Sequence, residues 1–115
     1  MFSITNSVRI VADVIETDRK GDIMRIQESE TVELKEIYTS DLKKEVVAFA
    51  NTNGGTIYIG VQDDGEIIGL ENADFVMQQI SNAVINGIRP DASMFTSIEL
   101  VKENHKSLVR IVVQQ

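Results

Sequence analysis

The first regular pattern along the chain is a strand followed by a helix. Polar and apolar residues alternate over residues 31–35, as they do in a half-buried strand. Ser40 is a suitable N-cap for a helix that ends near Asn53-Gly54. The apolar residues between these points recur at helical spacing: Leu42, Val46, Phe49 and Ala50. We therefore expect a helix over about residues 41–51 that packs on a sheet through this face.

The second half of the chain predicts a hairpin, a second helix and another hairpin. Residues 56–61 are almost entirely apolar, which indicates a central strand covered on both faces. Asp63-Asp64-Gly65 is a turn, and residues 66–70 form a short returning strand. The helix that follows from Asn72 has one apolar side: Phe75, Val76, Ile80, Ala83 and Val84. The last two strands cover residues 98–101 and 108–113. This order predicts an α+β fold, in which two main helices pack against a mixed β-sheet.

The chain is expected to divide near residue 27. Residues 8–15 fit helical spacing but are also rich in β-branched residues, so both a helix and a strand remain open there. Residues 18–22 are a polar break. We expect an N-terminal extension over residues 1–26 and a domain over residues 27–115. The chain ends on a strand without a closing turn, so this domain is expected to continue beyond residue 115 in a longer protein.

Composition removes several classes of function. The chain has no cysteine and one histidine. Disulfides, zinc–thiolate sites and cysteine nucleophiles are therefore excluded, and serine–histidine catalysis has no motif to support it. There is neither a signal peptide nor an apolar run of the roughly 20 residues that span a bilayer. We expect a cytoplasmic protein without a membrane partner.

The charge distribution restricts any contact with nucleic acid to a local surface. The formal net charge is −7, from 11 basic and 18 acidic residues, whereas affinity for phosphate depends mainly on lysine and arginine. No lysine or arginine occurs between Lys44 and Arg89. Three lysines near the first predicted strand and helix are candidates for contacts with phosphate: Lys35, Lys43 and Lys44. Alternatively, these lysines are solvated partners of Glu36 and Glu45.

Three carboxylates form a candidate metal site, provided that the chain brings them to the same side of the sheet. Glu28 and Glu33 are five residues apart, so on one regular strand they would face opposite sides. They converge only if Glu28 lies in a bend before the strand. Asp63 follows the predicted central strand, and if the two strands are neighbours, the three side chains would bind Mg²⁺ or Mn²⁺. The alternative is that Glu33 is a solvated strand residue near Lys35 and Asp63 belongs to a turn.

The order of these segments resembles the Schlafen/AlbA-like domain, formerly called the divergent AAA domain. The resemblance covers about residues 27–115 and rests on three runs: Glu28-Ser29-Glu30-Thr31-Val32-Glu33-Leu34-Lys35, then Ala48-Phe49-Ala50-Asn51-Thr52-Asn53-Gly54-Gly55-Thr56-Ile57-Tyr58-Ile59-Gly60-Val61-Gln62-Asp63-Asp64-Gly65, then Glu66-Ile67-Ile68-Gly69-Leu70. It implies a domain of prokaryotic transcriptional regulators, with DNA binding inferred from kinship with Alba chromatin proteins. In vertebrate Schlafens, similar domains form an RNA-cleaving core with three acidic residues, and the matching positions here are Glu28, Glu33 and Asp63.

The resemblance and the residues together leave three functions to compare. The first is a nucleic-acid-binding, specifically DNA-binding, module of a transcriptional regulator, with DNA or RNA and further domains of the same chain as partners. The second is a ribonuclease-like domain that uses Mg²⁺ or Mn²⁺ held by the acidic triad. The third is a non-catalytic oligomerisation domain, which the acidic balance favours, with a second copy of the chain as partner. We expect this fragment to lack enzymatic activity.

Overall fold

The fold is seen in a computed structural model that describes residues 3–8, 14–17, 23–26, 28–87, 96–103 and 105–114. Its regular elements are β1 (Ser3–Val8), β2 (Val14–Thr17), β3 (Ile23–Ile26), β4 (Val32–Lys35), α1 (Leu42–Ala50), β5 (Gly55–Ile59), α2 (Ala73–Gly87), β6 (Thr96–Glu103) and β7 (Lys106–Val113). No helix among these residues is long and apolar enough to cross a membrane.

Five of the strands form one mixed sheet in the order β1-β6-β7-β5-β4. The two outer pairs, β1 with β6 and β4 with β5, are parallel, and the two inner pairs are antiparallel. Parallel neighbours need a crossover connection, which α1 supplies between β4 and β5. The predicted α+β fold, with a mixed sheet and two main helices, is confirmed.

The segment predicted as an N-terminal extension contributes strands of its own. Its β1 pairs with β6 at the edge of the main sheet, and β2 pairs with β3 in a separate two-stranded sheet. Residues 1–2, 9–13 and 18–22 of this segment lie outside the described residues. The division of the chain at residue 27 stays a prediction.

Buried residues of β5 pack on both faces of the sheet, as its apolar sequence predicts. Ile57 and Ile59 pack with the buried face of the helices, whereas Tyr58 between them packs with Val32 and Leu34 of β4 on the opposite face. Burying each such side chain fully stabilises the fold by about 1.5–3 kcal/mol. From α1, Leu42 and Val46 are buried, and Phe49 and Ala50 are partly buried against the same cluster.

Three local predictions are wrong. The N-cap of α1 is Asp41 rather than Ser40, and its side chain makes no capping hydrogen bond. Residues 66–70 do not form a returning strand: Val61 and Ile67 make one isolated bridge, and the N–H of Leu70 instead donates to the carbonyl oxygen of Ser107. Phe75, predicted on the buried side of α2, is 56% exposed.

Candidate functional site

The ends of β4 and β5 meet at one edge of the sheet. These strands are parallel neighbours, with Lys35 paired to Ile59 at their C-terminal ends. The backbone N–H groups of Gly60 and Val61 donate to the carbonyl oxygen of Lys35, at 2.7 and 3.0 Å. These bonds attach the start of the loop that carries Asp63 to the end of β4. The condition that the two strands be neighbours is therefore met.

The position of Glu28 follows from a tight reversal before β4. Ser29 and Val32 form an isolated antiparallel bridge, with backbone N–H···O distances of 3.0 and 3.3 Å. The bridge is isolated, and its register, if continued by one position, places Glu28 opposite Glu33. Opposite residues of an antiparallel pair lie on the same face, so the bend removes the separation that one regular strand would impose.

On the α1 side of the sheet, Lys35 is held by two carboxylates. Glu33 and Lys35 alternate along β4 with the buried Val32 and Leu34, which pack on the opposite face. The Nζ atom of Lys35 lies 3.0 Å from Oε1 of Glu45 and 3.9 Å from Oε1 of Glu33. This ammonium group therefore neutralises carboxylates of its own chain.

Glu45 belongs to this site and was not among the predicted site residues. The sequence offers it only as a solvated partner of Lys35, Lys43 or Lys44. Its Oε1 atom is buried, and it lies on α1 beside the packed residues Leu42, Val46 and Phe49. The signal was available, because positions 42, 45, 46 and 49 share one face of a helix.

The carboxylates around Lys35 influence one another. The pKa of Glu33 is raised above its ordinary value of 4.5, first by partial burial and then by the negative charges of Glu28 and Glu45, with Asp63 adding to the effect. The hydrogen bond to Glu45 raises the pKa of Lys35. Two carboxylates, those of Glu33 and Glu45, share the ammonium group of Lys35, and the charges of Glu28 and Asp63 act on Glu33, so the local potential is negative. We call Glu28, Glu33, Glu45 and Asp63 the acidic cluster.

The side chains of the acidic cluster can be compared with those that hold a divalent ion. The donor chemistry suits Mg²⁺ or Mn²⁺, which prefer carboxylate oxygens. Within the described ranges, however, no group of three or more acidic or histidine side chains is arranged to hold a metal ion. As placed here, Glu28, Glu33 and Asp63 do not fit such a centre. Their catalytic and metal-binding roles stay predictions.

The predicted lysine group divides into two. Lys35 lies at the acidic cluster, whereas Lys43 and Lys44 are exposed on the outer side of α1. Neither of these two lysines forms an ion pair with another described residue, and Glu45, an expected partner of all three lysines, pairs with Lys35. Val47, which is 39% exposed, and the exposed Ala48 lie next to them. We call Lys43, Lys44, Val47 and Ala48 the α1 surface.

Comparison with known proteins identifies the family of the chain. No curated protein sequence matches the chain. The family model described as Schlafen, AlbA_2 matches residues 28–115. This match begins at Glu28 and includes the acidic cluster, both helices and strands β4 to β7. It covers well over half of the chain and confirms the resemblance found in the sequence: the chain belongs to the Schlafen AlbA_2 family.

Proposed function

We propose that this domain binds nucleic acid through the α1 surface, as a DNA-contacting module of a transcriptional regulator. The observation that carries the proposal is the exposed pair Lys43 and Lys44, which have no ion-pair partner among the described residues. Two adjacent ammonium groups attract phosphate oxygens and release the counterions condensed on the nucleic-acid backbone. Val47 and Ala48 add a small apolar area beside them, suited to contact with sugars or thymine methyl groups.

Lys35 has a different role in this proposal from the one its sequence position suggests. Its ammonium group is engaged by Glu45 and Glu33, and a phosphate approaching it would meet the rest of the acidic cluster. The contact surface therefore contains two lysines rather than three. With about two phosphates neutralised, the slope of log K against log salt is about −1.8 on duplex DNA, so affinity falls roughly tenfold between about 50 and 200 mM salt.

Fluorescence anisotropy with labelled duplex DNA, at these two salt concentrations, tests the proposal. Lys44→Gln should weaken binding to a similar extent for all sequences and make the salt slope shallower by about one unit. Lys102→Gln is the matched control, because it removes one exposed lysine charge from β6, away from α1. Equal losses in the two variants would show that only net charge matters and would refute the α1 surface as the contact.

The same titration, run with single-stranded DNA and RNA, separates DNA binding from the ribonuclease alternative. A regulator module should prefer duplex DNA and leave it intact. Cleavage of RNA in the presence of Mg²⁺ or Mn²⁺, lost in Glu33→Gln but not in Lys44→Gln, would instead favour the ribonuclease. Products are compared on a denaturing gel.

A further inference from the structure

The outer face of α2 contrasts with the rest of this highly charged chain. About 25% of all residues are charged, yet α2 carries only one charge, on Asp74 in its first turn. The exposed positions after it are Phe75, Gln78, Gln79, Asn82, Ile85 and Asn86. Phe75 and Ile85 are each 56% exposed. Exposed apolar side chains on a surface depleted of charge are typical of a protein–protein interface.

Four of these residues form a single stripe with a symmetric spacing. Phe75, Gln78, Asn82 and Ile85 are separated by three, four and three residues, which is the spacing that keeps side chains on one face of a helix. The sequence of intervals is the same in both directions. When two such helices lie antiparallel, Phe75 of one copy meets Ile85 of the other, and Gln78 meets Asn82. We call these four residues the α2 stripe.

We propose that the α2 stripe is the docking surface for a second copy of this chain, which binds antiparallel across a two-fold axis. A two-fold interface must be complementary to itself, and the symmetric spacing satisfies that condition. Each apolar end then packs against the apolar end of the other copy, and the two amide side chains between them exchange hydrogen bonds.

Charge also favours a second copy as the occupant. Two chains of net charge −7 repel one another over most of their surfaces. The α2 stripe has no charged residue of its own, so contact there adds no direct repulsion and leaves no buried ion without a partner. Nucleic acid would find no cation on this stripe, and a basic protein would be attracted to the acidic surfaces elsewhere.

The size of the stripe sets the strength expected of the dimer. The eleven residues of helix from Phe75 to Ile85 are ten steps apart end to end and extend about 15 Å. One helix pair of this length buries less than the roughly 1,200–2,000 Å² of a stable complex, so the dimer should be weak and dependent on protein concentration. Salt should strengthen it, because screening reduces the repulsion between the two negative chains while no attractive ion pair is lost.

Sedimentation equilibrium from micromolar to millimolar protein, at low and high salt, measures this association. The acidic variant Gln78→Glu/Asn82→Glu and the basic variant Gln78→Lys/Asn82→Lys should each remain monomeric, because like charges would face one another. An equimolar mixture should form a heterodimer, since every pair in the proposed register then joins a carboxylate to an ammonium group. Circular dichroism checks that both variants keep the helical fold.

Lys43→Gln/Lys44→Gln is the charge-matched control. It removes two positive charges, so its net charge is −9, the same as that of the acidic variant, which adds two negative charges to −7. It should dimerise like the unmodified chain. A monomeric unmodified chain at millimolar concentration, or variants of the α2 stripe that dimerise normally, would overturn the proposal. These outcomes do not depend on nucleic-acid binding, which involves the α1 surface instead.

Discussion

Replacing Gly65 with alanine would place a methyl group against the backbone of β3. A Cβ atom at Gly65 would lie 2.3 Å from the carbonyl oxygen of Ile26, well inside van der Waals contact. Gly65 also has a φ of 91°, which residues with a side chain rarely adopt. Ile26 is 1% exposed, and its N–H donates to the carbonyl oxygen of Gly65 at 2.9 Å. The substitution therefore tests how the β2–β3 pair is attached to the turn that carries Asp63.

The expected cost has three parts. The positive φ costs about 1–2 kcal/mol for a residue with a Cβ. Displacing the backbone of Ile26 loses a hydrogen bond worth about 0.5–1.5 kcal/mol and part of the 1.5–3 kcal/mol that comes from burying its side chain. Gly65→Ala should therefore lower the free energy of unfolding by about 2–5 kcal/mol, a large share of the 5–15 kcal/mol typical of a domain.

Gly69→Ala separates backbone strain from the contact with β3. Gly69 has a similar φ of 78°, but a Cβ there would meet the side chain of Lys106, with its Cβ atom at 3.0 Å, rather than a backbone oxygen. The Cβ of Lys106 is fixed to the backbone of β7, but this contact has to widen by only a few tenths of an ångström, so the cost should stay near the 1–2 kcal/mol of the positive φ. Urea unfolding followed by circular dichroism gives both values, provided that the slopes agree. Equal losses of unfolding free energy in the two variants would show that the contact between Ile26 and Gly65 does not stabilise the fold.

Two other variants have clear expected results. Phe49→Ala should lower the free energy of unfolding by about 2–3 kcal/mol. This is less than the 3–5 kcal/mol of a fully buried phenylalanine, because the ring is only partly buried. A loss below about 1 kcal/mol in urea unfolding would contradict the packing of Phe49 against the core. The raised pKa of Glu33 means that the folded chain holds this proton more tightly than the unfolded chain. The contribution of Glu33 to stability should therefore fall as pH rises from 4.5 through the raised pKa, and remain lower above it. Thermal melting across this range should show that Glu33→Gln removes part of this loss of stability. The effect should be small because the side chain is largely solvated. If the melting temperature of Glu33→Gln depends on pH in the same way as that of the unmodified chain, the electrostatic account is contradicted.

The elements that the sequence predicted well are those whose burial follows directly from local periodicity. Alternation in β4 separates Val32 and Leu34 from Glu33 and Lys35, and the structure has that pattern of burial. The apolar run of β5 is buried on both faces. In contrast, Ile67 and Ile68 resemble a strand, but the carbonyl oxygen of Gly60 accepts the N–H groups of both Ile68 and Gly69, which prevents a regular ladder.

Long-range pairing explains most of what the sequence did not predict. β1 lies beside β6, near the other end of the chain, and nothing local to residues 3–8 specifies that partner. Phe75 shows a related limit. The buried stripe of α2 includes Val76, Met77, Ile80 and Val84, and a residue one position before Val76 is turned by about 100° around the helix. The positions of apolar residues in the sequence do not determine which of them are buried against the sheet.

The opposite charges on α1 determine how nucleic-acid binding should respond to salt. Glu45 belongs to the acidic cluster, whereas Lys43 and Lys44 lie on the outer side of the same helix. The width of a helix with its side chains is about 10–12 Å, slightly more than the Debye length of about 8 Å at physiological ionic strength. Under those conditions, a phosphate at the α1 surface is largely screened from the carboxylates behind it. At very low salt, the screening length approaches 30 Å, so the cluster repels the same phosphate. Affinity should therefore rise less steeply at the lowest salt concentrations than counterion release from two phosphates alone would require.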